Sequence, residues 1–119
     1  LQPGDYHEDE FGPPDSNDVV LFSGVLNAEG EESCVRLLRK AHRSLAPGGL
    51  LVVRDYLLDE TGGAQVAALF SLHMMLVTEH GQTHFEADMA EWVSRAGFQN
   101  PTIKHMPAPD ESTLVIAVK

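Results

Sequence analysis

The stretch from Asp18 to Asp55 constrains the fold more than any other part of the sequence. It begins with a continuous apolar run, Asp18–Ser23 (DVVLFS), passes through an acidic turn and an amphipathic segment, and ends with Leu50–Asp55 (LLVVRD). Continuous apolar runs are typical of strands in parallel sheets, and a strand, a helix and a strand joined by short links form a right-handed crossover. The sequence therefore predicts an α/β fold with a ligand site beyond the carboxyl ends of these strands.

An amphipathic segment between the two strands predicts a helix from Glu31 to Ala46. Acidic residues favour its amino end and basic residues its carboxyl end, and Pro47-Gly48-Gly49 is expected to stop it. Its apolar residues recur at the spacing of one helix face, which we expect to be buried. That face consists of Cys34, Leu37, Leu38, Ala41 and Leu45.

Two further helices and two strands complete the predicted fold. We expect the helices at Ala64–Thr78 and Phe85–Ala96, and the strands at Pro101–Met106 and Ser112–Val118. A Pro-rich turn joins the two strands, so they are expected to pair as an antiparallel hairpin. The predicted architecture is a mixed sheet of about four strands, with this hairpin at the end of the chain, and three helices.

Residues 1–119 are expected to form a single domain, of which 1–17 is an acidic loop segment.

The charge distribution limits the partners of the chain. The formal net charge is −10, and the first Lys or Arg in the sequence is Arg36. Nucleic acids and anionic membranes need a basic surface, so neither is expected as a partner. No apolar run is long enough to predict a membrane-spanning helix.

Cysteine usage indicates the compartment. Cys34 is the single cysteine, so no internal disulfide can form, and a reducing cytoplasmic location is expected. Its place on the apolar helix face predicts a buried thiol rather than a reactive one.

Several motifs along the chain occur in the order and spacing of one enzyme family. In that order and spacing, the chain resembles the carboxyl-terminal half of a class I S-adenosylmethionine-dependent methyltransferase, within the small-molecule O-methyltransferase family. The resemblance implies a Rossmann-like methyltransferase half-domain, belonging to a larger enzyme. The matching segments are Gly4-Asp5, Asp18–Ala28, Glu31–Asp55 with its Pro-Gly-Gly turn, Leu72–Leu76, Trp92–Phe98 (WVSRAGF) and Ser112–Lys119 (STLVIAVK).

The resemblance assigns S-adenosylmethionine as cofactor and a small molecule, with a hydroxyl or phenolic group, as methyl acceptor. It places Asp5 against the adenine amine and Tyr6 against the ring, unless they belong to an ordinary acidic loop. Phe22 and Ser23 would line the cofactor side of the strand end, although Phe22 is equally explained as core. Met75 matches a substrate-pocket position, although methionines such as Met74 and Met75 are more often core residues than ligand contacts. A homo-oligomer, such as a dimer, is also expected.

Two departures from the family pattern bear on catalysis. The glycine-rich loop that cradles the cofactor is not in this sequence, and the resemblance places it in a preceding half. The general-base histidine of the family aligns with Asn27, the next acid with Ala28, and the acid that orients the base with Asp55. Asn cannot take a proton near neutral pH, so an acidic phenol, nitrogen or carbon acceptor is possible. Asn27 is then expected to be a polar contact to the substrate or, alternatively, a helix cap. Asp55 is expected either to belong to the site or to be a solvated strand-end carboxylate.

The same departures support two rival functions. The chain could be a catalytically inactive half-domain that acts as a binding or oligomerisation module, because half a sheet leaves one edge and one face uncovered. It could also belong to another nucleotide-binding enzyme family with this type of sheet.

A metal site is not expected. His73, Glu79, His80 and His84 are potential ligands, but their spacing does not place them on one helical face.

Overall fold

The computed structural model describes residues 3–60, 65–77 and 83–119, which form one four-stranded sheet with helices against it. A short 3₁₀ helix, Leu26–Ala28, follows the first strand. The remaining elements are β1 (Asn17–Ser23), α1 (Glu31–Ser44), β2 (Leu45–Asp55), α2 (Gln65–Val77), α3 (Glu86–Arg95), β3 (Gln99–His105) and β4 (Thr113–Val118).

The sheet has the order β1-β2-β4-β3 and is mixed, as predicted. β1 and β2 are parallel, with Val20 opposite Leu51. β4 is antiparallel to both β2 and β3, with Ala117 opposite Leu51 and Val115 opposite Ile103. The predicted α/β half-domain with a terminal hairpin is therefore confirmed.

The apolar face of α1 forms the centre of the core. All five residues of the predicted face are fully buried. Four of them lie on α1, where their burial confirms the helical spacing, and the fifth is Leu45. They pack with residues of β2, α3 and β4, among them Leu51, Val53, Met89, Val93 and Val115.

The carboxyl end of α1 differs from the prediction. The helix ends at Ser44 instead of Ala46, and Leu45 already begins β2. The reason is Pro47, because a proline disfavours helical backbone at the residue before it. The Pro-Gly-Gly turn therefore lies within the span of β2, where Gly48 has a φ of +79° and bonds to Lys119.

Other boundaries shift by a few residues. β2 ends at Asp55, and Leu58 beyond it makes an isolated bridge to Phe85 ahead of α3. α3 begins at Glu86, and its end is followed by Gly97 at a φ of +107°, where a Cβ would lie 3.1 Å from the His42 ring.

The two faces of the sheet are covered unequally. α1 and α3 lie on one face, which is buried. On the other face, Val19 is 55% and Leu21 60% exposed. The expectation of an uncovered face at β1 is therefore met in these residues.

Candidate active site

The carboxyl ends of β1 and β2 bring Asn27 and Asp55 together. β1 ends at Ser23, the chain turns at Gly24, and the 3₁₀ helix carries Asn27 back toward the end of β2. Asn27 Nδ2 donates to Asp55 Oδ1 at 2.5 Å, and the Asn27 backbone N–H donates to Asp55 Oδ2 at 3.3 Å. Both oxygens of the carboxylate thus hold one residue, which fixes the amide relative to the strand ends.

Asp55 is a buried carboxyl group, not the solvated strand-end acid considered as an alternative. It is 2% exposed. Burial raises the pKa of Asp55 from 3.8 to about 6, although backbone N–H groups and the neighbouring Arg54 favour its charged form. The carboxylate predominates at neutral pH, and it requires a donor. This requirement turns the amide nitrogen of Asn27 toward Asp55.

Asn27 is not a helix cap, which was its alternative role. It lies inside the 3₁₀ helix, whose amino-terminal cap is Val25, while Gly30 caps α1. Its Nδ2 atom carries two hydrogens, of which Asp55 accepts one. Asn27 itself is 2% exposed, and its second amide hydrogen is a further donor. Asn27 can therefore donate hydrogen bonds but cannot remove a proton.

His84 holds this turn in place from the segment before α3. Its Nε2 atom lies 3.1 Å from the carbonyl oxygen of Leu26 and 3.0 Å from that of Glu29. Since carbonyls only accept, Nε2 carries the hydrogen. The ring is 6% exposed and packs edge-on against Trp92 at 4.8 Å. Carbonyls on both sides of Asn27 are therefore fixed by one buried side chain.

Cys34 lies beneath the same turn. Its Sγ atom is 3.4 Å from the carbonyl oxygen of Leu26, and burial raises the pKa of its thiol to about 12. A thiol with this pKa is not a nucleophile at neutral pH, so Cys34 contributes packing to the site rather than chemistry.

The amino-terminal loop, residues 3–12, lies next to the turn that carries Asn27. Tyr6 Oη donates to Glu29 Oε1 at 3.1 Å, and partial burial and the Glu29 carboxylate raise the pKa of Tyr6. Asp5 Oδ1 accepts the backbone N–H of His7 at 2.8 Å, which leaves Oδ2 to accept from a ligand. The structure thus brings the loop that carries Asp5 and Tyr6 to the carboxyl ends of the strands.

An apolar cavity of about 200 Å³ separates this loop from β1. Phe22 is buried, packs edge-on against Phe11 at 5.7 Å and also faces the cavity. It is therefore a core residue, and its place beside a cofactor stays a prediction. Ser23 is exposed at the end of β1. The cavity is lined by Tyr6, Phe11, Val20, Leu21, Phe22 and Val25.

α2 lies near the carboxyl end of β2, and its side chains differ in exposure. The Tyr56 ring, next to Asp55, contacts Phe70 of α2 at 4.8 Å, so the helix lies near the end of β2. Met74 is 7% exposed, but Met75 is 71% exposed. In the described residues, Met75 therefore faces away from the core beside the Asn27–Asp55 pair.

Within residues 3–60, 65–77 and 83–119, no three His, Cys, Asp or Glu side chains are arranged to hold a metal ion. Glu79 and His80 lie outside the described residues. None of the described helices is long and apolar enough to cross a membrane.

Three residues that support the site were not predicted: Glu29, Lys40 and His84. Each contacts residues distant in sequence, and the contacts of Lys40 span 31 to 34 positions. The sequence signal available for Glu29 was its place in the acidic turn. An acid that is buried in such a turn needs hydrogen-bond donors from other side chains. For Lys40 and His84 the sequence carried no signal of comparable strength.

Comparison with known proteins identifies the family. The model of the O-methyltransferase domain family matches residues 1–99. The 3-amino-4-hydroxybenzoate 4-O-methyltransferase of Streptomyces cremeus is 35% identical over 107 residues, which are 90% of this chain and 28% of that protein. The L-tyrosine C(3)-methyltransferase of Streptomyces lavendulae is 34% identical over 111 residues, 92% of this chain and 30% of that protein.

A solved structure supports the same family assignment. Human N-acetylserotonin methyltransferase, crystallised with S-adenosylmethionine, superposes with a TM-score of 0.84 at 28% identity, over 99% of this chain and 33% of that one. The chain thus spans about a third of the length of its relatives. S-adenosylmethionine is confirmed as the cofactor of such relatives. By sequence match and by fold, the chain belongs to the O-methyltransferase family.

Proposed function

We propose that this chain is the carboxyl-terminal part of a larger enzyme that transfers a methyl group from S-adenosylmethionine to a hydroxyl or phenolic group of a small molecule. The observation that carries the proposal is the Asn27–Asp55 pair, which lies at the strand ends beside the tethered Asp5–Tyr6 loop. Open α/β sheets bind ligands at such an edge. The family membership supports this use of the edge.

The residues at this edge have the chemistry that the adenosine part of the cofactor requires. Adenine presents a donor amine on an apolar ring, while Asp5 offers a carboxylate oxygen and the cavity beside Tyr6 and Phe22 is apolar. S-adenosylmethionine, when bound, supplies an electrophilic methyl group. The remaining contacts to it would come from parts of the protein outside this chain.

Asn27 restricts the acceptors that this site can use. Attack on the methyl carbon forms the new bond while the carbon–sulfur bond breaks, and an unionised hydroxyl must also lose its proton. Asn27 cannot accept that proton, whereas it can donate a hydrogen bond to an oxygen that is already ionised. We therefore propose an acidic phenol as acceptor, for which orientation and proximity are sufficient.

The named relatives fit a site of this kind. One methylates the 4-oxygen of 3-amino-4-hydroxybenzoate, and another methylates a carbon of L-tyrosine. Both acceptors are small and phenolic. Because the second relative methylates carbon, a carbon atom of the acceptor is the alternative methylation position that we retain for this protein.

A labelled-methyl assay on the full-length protein tests the proposal. The two acceptors are a nitro-substituted hydroxybenzoate and its less acidic parent, and we expect the wild type to methylate the nitro compound much faster than the parent. Asn27→His should raise transfer to the parent by roughly tenfold or more, because Asp55 can orient the new base. Asn27→Ala is the matched control and should lower both rates. No transfer to either acceptor, or equal transfer by the wild type, would contradict the proposal.

A second candidate function is a catalytically inactive module for binding or oligomerisation. The observation in its favour is the uncovered sheet face at Val19 and Leu21. We propose a homodimer on this basis. Light scattering on the 119-residue chain tests it: a concentration-dependent dimer supports the module, and a strict monomer counts against it.

We also propose that the protein acts in the cytoplasm. The support is the lone Cys34, a buried free thiol in the described structure. Cell fractionation that recovered the protein outside the cytoplasm would overturn this assignment.

A further inference from the structure

Lys40, on the outer surface of α1, makes an unusual set of contacts with the amino-terminal loop. Its ammonium group donates to three backbone carbonyls, those of Tyr6 at 3.2 Å, His7 at 2.8 Å and Asp9 at 3.0 Å. An ammonium group has three hydrogens, so these carbonyls use its whole donor capacity. One side chain therefore fixes the path of the loop on both sides of His7.

The other cations of α1 make weaker contacts. Arg36 bonds to Ser33 Oγ at 3.2 Å, and Arg43 lies 3.8 Å from Glu10 Oε1. Arg39 is exposed. Exposed pairs of this kind contribute little to stability. Among these cations of α1, Lys40 alone donates hydrogen bonds to the backbone of the loop. A general surface charge does not explain these contacts.

Glu29 completes the tether from the opposite side. Its carboxylate accepts from Tyr6 Oη at 3.1 Å and from Ser33 Oγ at 2.6 Å, and His7 Nε2 lies 3.1 Å away. The Glu29 side chain is 11% exposed. Thus Lys40 holds the backbone of the loop, and Glu29 holds the side chains of Tyr6 and His7. The carboxylate of Asp5 takes part in neither set of hydrogen bonds; it accepts from the backbone N–H of His7.

We propose that Lys40 is a positioning residue for cofactor binding, which pre-orders the Asp5–Tyr6 loop before the cofactor arrives. This inference rests on the proposed function, because it assumes that the loop contacts the cofactor. A loop that is already ordered costs less conformational entropy when a ligand binds. When only a fraction of molecules has the competent loop, the apparent dissociation constant rises by the inverse of that fraction.

The test compares Lys40→Met with Arg39→Met in the full-length protein. Methionine keeps most of the aliphatic stem but donates no hydrogen bond, and Arg39→Met removes the same charge from the neighbouring position. We expect Lys40→Met to raise the dissociation constant of S-adenosylhomocysteine and the KM for S-adenosylmethionine by about tenfold, with kcat little changed. Arg39→Met should leave both constants unchanged.

Hydrogen exchange of the cofactor-free protein gives an independent readout. The amides of residues 5–9 should exchange faster in Lys40→Met than in Arg39→Met, with α1 unchanged. If the wild type binds S-adenosylhomocysteine and Lys40→Met binds it equally well, the role of Lys40 is overturned but the proposed function is not. If the wild type does not bind it, both are overturned. A fall in kcat alone would also contradict a positioning role.

Discussion

The Asn27–Asp55 pair and the Asp5–Tyr6 loop lie at the same edge of the sheet but are held there by different means. Asp55 is buried, and its position follows from β2 and the core around it. Tyr6 is 38% exposed, and its loop is held by hydrogen bonds from α1. Burial therefore fixes the proposed acceptor side of the site, whereas hydrogen-bond tethers fix the proposed cofactor side. Changes to the two regions should accordingly affect different properties.

The largest effect is expected from the charge of Asp55. Its pKa in the folded protein, about 6, lies above 3.8, so the folded state binds the proton more tightly than the unfolded state. This contribution to stability is complete below about pH 4 and is lost as the pH rises through 6, which amounts to about 3 kcal/mol. Urea unfolding at pH 3 to 7 should show this loss in the wild type.

Asp55→Asn is the control for that measurement, because its side chain does not titrate. The difference in unfolding free energy between wild type and Asp55→Asn removes the contributions of the other titrating groups. If this difference stays constant between pH 3 and pH 7, the burial of Asp55 does not govern the acceptor side of the site.

A smaller loss of stability is expected from His84→Ala. The substitution removes the donor to the carbonyls of Leu26 and Glu29, and unsatisfied buried groups cost about 1–3 kcal/mol. The exposed His105, which bonds to Glu86, provides the matched comparison, since His105→Ala should cost less than about 1 kcal/mol. Urea unfolding at pH 8 measures both. Equal losses in the two variants would show that His84 does not hold the turn.

The sequence predicted local features of the fold well and long-range ones poorly. The spacing of Cys34 to Leu45 identified the buried face of α1, because helical period and burial are directly linked. Pro47 shifted the end of α1 by a local steric effect that could have been anticipated. The burial of Asp55 could not, since it depends on how β1, the 3₁₀ helix and β2 converge.

The candidate site shows the same limit. The resemblance to the family brought Asn27 and Asp55 to attention, and the structure joins them by hydrogen bonds. Its assignment of Met75 to the substrate pocket remains a prediction, because that side chain is largely exposed in the described residues. Lys40 was indistinguishable in sequence from the solvated cations beside it, and only its three-dimensional neighbours set it apart.

The central claim is that the Asp5–Tyr6 loop forms part of a cofactor site at this edge of the sheet. Titration calorimetry of the full-length protein with S-adenosylhomocysteine tests it most directly, with Asp5→Ala and Asp18→Ala as matched variants. Asp18 is also an exposed acid, but it lies at the opposite end of β1. We expect wild type and Asp18→Ala to bind equally and Asp5→Ala to bind about tenfold more weakly, which corresponds to about 1.4 kcal/mol. Absence of binding by the wild type, or equal binding by all three proteins, would contradict the claim.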